Sequence, residues 1–487
     1  MKTNDNSPLK APDQLTDLFR SFTGHAPEQC IPLAQGGSER RYFRMVSSAG
    51  SYVGTVNPNV AENLAFRHYA QVFGQYGLPV PEVYAISRDK TCYLQEDLGD
   101  QSLYTLLLQE GGMKQAGQEL TDRFRQALSH LAVFQLEAHK SIHYKKFAFS
   151  GLRFGKDAML DDLRYFRYYF LRLHPQLRFN ENRLLRDMVR FASLCASAPS
   201  DYFMYRDFQS RNIMISKGNN YYIDFQGGRR GALPYDVVSL LWQAMAGFTQ
   251  TQREALISGY KDAVQALNPA AAEGFDNYLP LFVHLRQMQV LGAYGLRGLV
   301  QRKIHFIRSI PVAIRAAGEN LRHYPLPEQL SELTAVLKSL ESLYDLYPLP
   351  NEAANKQLTV EIFSFSYLNG GLPPDISGNG GGFVFDCRAL PNPGREAQYR
   401  QLTGRDAEVT AFLEKSPEVH DFLDSTAKLI RLSVDDYLKR GFTNLSVGYG
   451  CTGGQHRSVY CAEKLTEMLK KQYPTVHFSL HHHHIQQ

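Results

Sequence analysis

YFMYRDFQSRNIMISKGNNYYIDFQGGRRGALPYD, residues 202–236, contains R-D-x-x-x-x-N (Arg206, Asp207, Asn212) and, twelve residues after Asn212, D-F-Q (Asp224, Phe225, Gln226). Two short runs of strand character, NIMI and YYI, lie between them and are joined by a GNN turn. An isolated D-x-x-x-x-N reads as a capping or turn pair. With a hairpin and a second aspartate at this spacing, it reads as a phosphoryl-transfer loop. That chemistry needs one carboxylate to accept the acceptor hydroxyl's proton, and a carboxylate with an amide oxygen to hold Mg²⁺ on the phosphates. Asp207 fits the first role, and Asn212 and Asp224 fit the second.

The wording around those residues is more specific than the spacing. Y-R-D-F-x-S-R-N-I-M followed by I-D-F-Q and P-Y-D-V-V-S-L-L resembles the aminoglycoside phosphotransferase-like kinases, and among them the anomeric N-acetylmuramate/N-acetylglucosamine kinases. The resemblance spans roughly residues 10–345. It implies a bilobal protein-kinase-like fold of the α/β (α+β) class, ATP as phosphoryl donor, Asp207 as catalytic base, and Asn212 and Asp224 as metal ligands.

Upstream, PLAQGGSERRYFRM reads as strand, turn and strand. Gly36, Gly37 and Ser38 would lie over the phosphates, where glycine lets backbone amides approach closely; a plain hairpin turn is the competing reading. No G-K-[ST] follows, so this is not a Walker A loop. SYVGTVNPNV should be the third strand, and it lacks the lysine that protein kinases carry there. Its absence shifts the phosphate-binding burden onto Arg40, Arg41 and Arg44. Glu62 opens the next helix, as a partner for such a cation or as a solvated helix residue. TCYLQEDLG should end at the connector between the lobes, with Glu96 beside the nucleotide. The aromatic run DLRYFRYYFLRLHPQLRF reads as packing. Asp236 reads as a carboxylate at a helix start, and the arginines at 286, 297, 302, 308, 315 and 322 as a solvated face.

At 487 residues the chain has room for two or three domains, and 44% hydrophobic with 21% charged content is ordinary for globular protein. The longest apolar run, near Val237–Phe248, is too short to span a bilayer, and the amino-terminal residues lack the apolar core of a signal peptide. Six scattered cysteines without C-x-x-C pairs indicate free thiols. These features lead to the expectation of a cytoplasmic protein without a membrane partner. The net charge is +5, yet from Lys356 onward acidic and basic residues balance, leaving no nucleic-acid footprint in that segment.

LYPLPNEAANKQ reads as a linker, which places a kinase domain at 1–345, a linker at 346–356 and a small α/β domain at 357–487. In that last segment G-C-T-G-G-Q-H-R-S, residues 450–458, stands between a buried strand and a helix. Bare backbone N–H groups, the helix start and an arginine fork together make an anion cradle. A structural turn competes with this reading, and C-x5-R-S also fits the spacing of the cysteine phosphatases. SFSY, GLPPD, FVFDCRALPNP, LTGRD and VGYGCTGGQHRSVYCAEKL in series resemble the C-terminal domain of RapZ-type RNase adaptor proteins. That resemblance implies a hexosamine phosphate held by Cys451, Thr452, Gly453, Gly454, His456, Arg457 and Ser458. Gln455 stands where that loop commonly carries lysine, and Gly394 where histidine or an aromatic residue is usual. His481 to His484 resemble a purification tag and receive no role.

The expectation is therefore a Mg²⁺- and ATP-dependent kinase of an N-acetylated amino sugar, regulated by a hexosamine phosphate at its second domain. Two alternatives stand beside it: a sensor or RNase adaptor whose kinase domain only binds nucleotide, and a kinase of another small alcohol. Whether the chain forms a homo-oligomer is left open.

Overall fold

The computed structural model of the protein describes residues 11–33, 40–347, 349, 357–373 and 382–485. Gly36, Gly37 and Ser38 lie outside the described residues, as does most of the linker expected at 346–356. Contacts group the chain into two units: Met1–Leu163, Asn182–Gln287 and Asn320–Ser331 in one, and Arg164–Glu181, Met288–Glu319 and Glu332–Gln487 in the other.

The first unit opens with a helix, Asp13–Thr23, and strands β1 (Gln29–Pro32), β2 (Arg41–Ser47), β3 (Gly50–Val56), β4 (Val83–Ile86) and β5 (Cys92–Glu96). They form one antiparallel sheet in the order β1-β2-β3-β5-β4. Side chains alternate along β2, and this decides the work of each face. Phe43 and Met45 are buried against Leu15 and Phe19 of the opening helix, and Arg41 shares their parity. Arg40, Tyr42 and Arg44 have the opposite parity. Helix Val60–Gln75 follows β3, and the Asn59 side chain caps it by accepting the Glu62 N–H, which sets Glu62 in the first turn.

Beyond β5 the unit is mostly helical, with Gln118–Leu136, Glu181–Ala196, Pro234–Leu241 and Gln250–Leu267 among its longer segments. Two small antiparallel ladders interrupt the helices. β6 (Tyr202–Met204) pairs with β9 (Arg229–Gly231), and between them β7 (Ile213–Ser216) pairs with β8 (Asn219–Tyr222). Asp207 leaves the end of β6, Asn212 precedes β7 and Asp224 follows β8, so the nested ladders return all three residues to one place.

An aromatic cluster anchors that arrangement from below. Phe225 stacks on Phe66 of helix Val60–Gln75 at 4.7 Å between centroids and meets Phe73 edge-on at 5.2 Å. The backbone must pass close to this cluster at Gly228, where a Cβ would stand 2.3 Å from the Phe203 ring and 2.9 Å from the Phe225 carbonyl oxygen.

In the second unit, β10 (Thr359–Ser366), β11 (Gly382–Asp386), β12 (Asn444–Cys451) and β13 (His477–His482) form a parallel sheet in the order β11-β12-β10-β13. Central β12 is buried along almost its whole length, as expected of a parallel strand covered on both faces. Helices Pro417–Arg440 and Arg457–Gln472 contribute Val419, Ile430, Val434, Leu465 and Leu469 to its core. The Tyr169 carbonyl of the aromatic run lies so close to Gly295 that no Cβ fits there. Among the described residues no helix is long and apolar enough to cross a membrane.

Gly228→Ala forces the Phe203 ring or the β8–β9 connection to move, so it should lower stability by about 1–3 kcal/mol. Denaturant unfolding of the variant checks this, and an unchanged midpoint would contradict the packing described.

Candidate active site

The turn that carries Asp207 is strained and then tied down. Arg206 (φ 81°) and Asp224 (φ 68°) both occupy the left-handed region, which costs a residue with a Cβ about 1–2 kcal/mol. Arg206 is held by Asp162, whose two oxygens accept from its Nη2 at 2.8 and 2.9 Å, and it lies over the rings of Phe154 and Tyr235 at 4.6 and 5.2 Å. Its backbone is held by Asp236. One oxygen of that carboxylate accepts the Tyr205 N–H at 2.7 Å, and the other accepts the Arg206 N–H at 3.0 Å. The expected helix-start position of Asp236 is present, in the first turn of Pro234–Leu241. The residue is fully buried, however, and its partners are the catalytic-turn amides. Burial pushes its carboxyl up to about 7 despite those two donors.

Asp207, Asn212 and Asp224 meet. Asn212 Nδ2 donates to the Asp207 carbonyl at 2.8 Å and lies 3.4 Å from Asp224 Oδ2. Asp224 Oδ1 accepts from Arg40 Nη2 and from Gln226 Nε2, both at 2.7 Å. The Asp207 side chain is 47% exposed, and its Oδ1 faces Arg286 Nη2 at 3.3 Å. Burial acts to raise the Asp207 carboxyl, but Arg286, Arg206 and Arg211 outweigh it and hold the group below its usual range. Arg286 thus departs from the solvated face expected of it: it is buried, on helix Phe275–Tyr294, and pairs with Asp207. Its position in the apolar run LPLFVHLRQMQVL was the available signal, because a charge buried among such residues needs a partner.

The three arginines proposed for the phosphates separate. Arg40 is buried in the cleft, between Asp224 and Glu62 Oε1 at 3.4 Å. Arg44 is engaged by Asp97 at 2.7 Å and Asp100 at 2.9 Å. Arg41 has the parity of the opposite sheet face. Glu96 ends β5 and pairs with Lys217 at 3.2 Å.

In the second unit the 450–458 loop links β12 to helix Arg457–Gln472. Thr452 and Gly453 are exposed, and Gly454 (φ 71°) turns the chain into a helix start that no side chain caps. Arg457 is buried and donates from Nη1 to the carbonyls of Arg388 at 2.8 Å and Leu390 at 3.1 Å, with Nη2 3.4 Å from Thr452 Oγ1. Its charge therefore sits at the loop while one arm of its fork fixes the loop's shape. Cys451 is buried, 3.1 Å from Ser458 Oγ, without the open face a nucleophilic thiolate needs. His456 Nε2 donates to the Tyr399 carbonyl at 2.9 Å, and Gln455 reaches the carbonyls of Arg400 and Leu402. The histidine tract is part of the fold. His482 bonds Ser364 at 2.8 Å and Glu463 at 3.2 Å, and His484 accepts the Ser366 N–H at 3.2 Å beside Gly454. Its tag-like composition hid this, since a run of one residue type carries no strand alternation.

Asp236→Asn exchanges one carboxylate oxygen for a donor that faces an N–H group. The wild-type carboxyl binds its proton more tightly when folded, so its contribution to stability is full below the unfolded value near 4 and is lost as pH rises towards 7. Stability of wild type relative to Asp236→Asn should therefore fall by up to about 1.4 kcal/mol per pH unit in that window. Denaturant unfolding from pH 4.5 to 7.5 measures it, and parallel curves would refute the assignment.

Residues 29–275 match the phosphotransferase enzyme family, and residues 358–486 match the RapZ C-terminal domain. Among curated proteins, a nucleotide-binding protein of Thermotoga neapolitana is 30% identical over 217 residues, which is 44% of this chain and 73% of that one. One from Acidobacterium capsulatum is 41% identical over 220 residues, 39% and 70% of the two chains. One from Pseudothermotoga lettingae is 35% identical over 173 residues, and there the match is 31% of this chain and 59% of the relative. A solved putative aminoglycoside phosphotransferase from Ralstonia eutropha is 12% identical, covers 67% of this chain and 98% of its own, and has a TM-score of 0.43. With the family match spanning more than half of the sequence and enclosing Asp207, Asn212 and Asp224, this chain belongs to the phosphotransferase enzyme family and carries a RapZ C-terminal domain.

Proposed function

We propose that the protein is an ATP-dependent kinase of an N-acetylated amino sugar, N-acetylmuramate or N-acetylglucosamine, with the anomeric hydroxyl as acceptor. A hexosamine phosphate bound at the 450–458 loop regulates it. The convergence of Asp207, Asn212 and Asp224 carries the kinase reading. The half-open Asp207 carboxylate, kept ionised by Arg286, is placed to take the acceptor's proton. Mg²⁺ fits the donor set: this ion takes one or two protein oxygens beside substrate phosphates. Asp224 is a carboxylate, and Asn212 spends its amide nitrogen on Asp207, which leaves its amide oxygen as a ligand. When bound, the ion neutralises charge on the phosphates. The choice of sugar rests on the resemblance of the Y-R-D-F-x-S-R-N-I-M segment to the anomeric kinases. The regulatory reading rests on the RapZ match together with exposed Thr452 and Gly453 at an uncapped helix start beside the Arg457 charge.

Purified protein incubated with labelled ATP, Mg²⁺ and a panel of amino sugars should phosphorylate at least one N-acetylated member. Asp207→Asn should lower turnover about 10²–10⁴-fold with little change in nucleotide affinity. If another alcohol is the only acceptor, the sugar assignment fails while the kinase stands. If nothing on the panel is phosphorylated and hexosamine phosphate still binds, the sensor reading, favoured by the missing β3 lysine, takes its place.

Calorimetric titration with glucosamine 6-phosphate tests the second unit. Wild type should bind it and Arg457→Ala should not, with nucleotide affinity serving as the control for folding. Equal binding by both proteins would remove Arg457 from the site.

A further inference from the structure

Phosphoryl transfer needs a protein cation on the nucleotide phosphates, and β3 has none in Gly50–Val56. The register shows what replaces it. Thr55 pairs with Tyr42 on one side and Tyr93 on the other, so Tyr42, Thr55 and Tyr93 form a row on one face of the sheet. Thr55 is fully buried, and its Oγ1 has no hydrogen-bond partner. Arg40 immediately precedes β2, two residues ahead of Tyr42 and with the same parity. Its guanidinium bridges Asp224 at 2.7 Å and Glu62 at 3.4 Å. Glu62 is itself oriented by Asn57 Nδ2 at 3.0 Å and by the Asn59 cap.

Resting on the kinase reading above, we propose that Arg40 supplies from β2 the phosphate-binding cation that β3 lacks, with Glu62 as its positioning residue and Asp224 as its partner only while no nucleotide is bound. The chemistry of the groups carries this. A guanidinium offers several donors in one plane, so it can keep Glu62 on one edge while it exchanges the partner on the other. Asp224 and a phosphate oxygen are both anions, so the exchange keeps the buried Arg40 paired throughout and avoids the cost of an isolated buried charge. It also frees the Asp224 oxygen that Arg40 now occupies. Glu62 stays engaged in both states, which ties helix Val60–Gln75 to the phosphates.

The test is binding of ATP, ADP and adenosine to the full chain by calorimetry, with Mg²⁺ present, for wild type, Arg40→Ala, Arg40→Lys and Arg40→Ala/Thr55→Lys. Arg40→Ala should lose about tenfold or more in affinity for ATP and ADP, more than 1.4 kcal/mol, and keep adenosine affinity. Arg40→Lys should lie between it and wild type. Placing the cation on β3 in the double variant should recover affinity for ATP and leave adenosine affinity unchanged. Glu62→Gln should weaken ATP binding in wild type and have no further effect on Arg40→Ala. The proposal fails if Arg40→Ala binds ATP as wild type does, if adenosine affinity falls in parallel with ATP, or if wild type binds no ATP. A wild type that binds ATP through Arg40 and yet phosphorylates no acceptor would overturn the kinase reading and leave this one standing.

Discussion

The two hydrogen bonds from the Tyr205 and Arg206 amides to Asp236 are the constraint on which the catalytic turn depends. They join a strained backbone to the first turn of a buried helix, and hydrogen bonds of this kind are each worth about 0.5–1.5 kcal/mol net. That is comparable with the strain at Arg206. Asp162 and the Phe154 and Tyr235 rings then fix the Arg206 side chain, so the position of Asp207 is determined from both ends of one residue. The helix Pro234–Leu241 is buried along its whole length, which makes it a rigid anchor.

Around that anchor the charges are distributed in pairs. Asp207 has Arg286, Asp224 has Arg40 and Asp162 has Arg206, each drawn from a different part of the chain. Low-dielectric surroundings make such pairs strong and make unpaired groups costly. Arg44, only four residues from Arg40, is absorbed by Asp97 and Asp100, just beyond the end of β5.

Much of this was legible from local signals. The R-D-x-x-x-x-N and D-F-Q spacing located the site because hairpins place their ends predictably, and the strands and helices around it had clear periodicity. The resemblance to the phosphotransferase and RapZ domains was carried by long runs of wording. Residues acting over long sequence distances were harder to see. Arg286 lies 79 positions from Asp207 and Arg40 lies 184 from Asp224, and nothing in either neighbourhood names its partner. Strand parity sets Arg41 apart from Arg40 and Arg44, and only the distant partners Asp97 and Asp100 set Arg44 apart from Arg40. The histidine tract was opaque for the opposite reason, since its uniform composition masked a strand whose side chains have distinct partners.

The cation bonded to Asp224 and Glu62 is a guanidinium, and this has a consequence for chemical proteomics. Acylating nucleotide analogues label the proteins that bind them by reacting with an amine held beside the phosphates. Arginine stays protonated at any pH such reagents tolerate and does not attack acyl phosphates as a lysine amine does. Profiling by lysine acylation would therefore pass over Arg40, whereas dicarbonyl reagents are directed at arginine, and under the proposal above nucleotide would protect it.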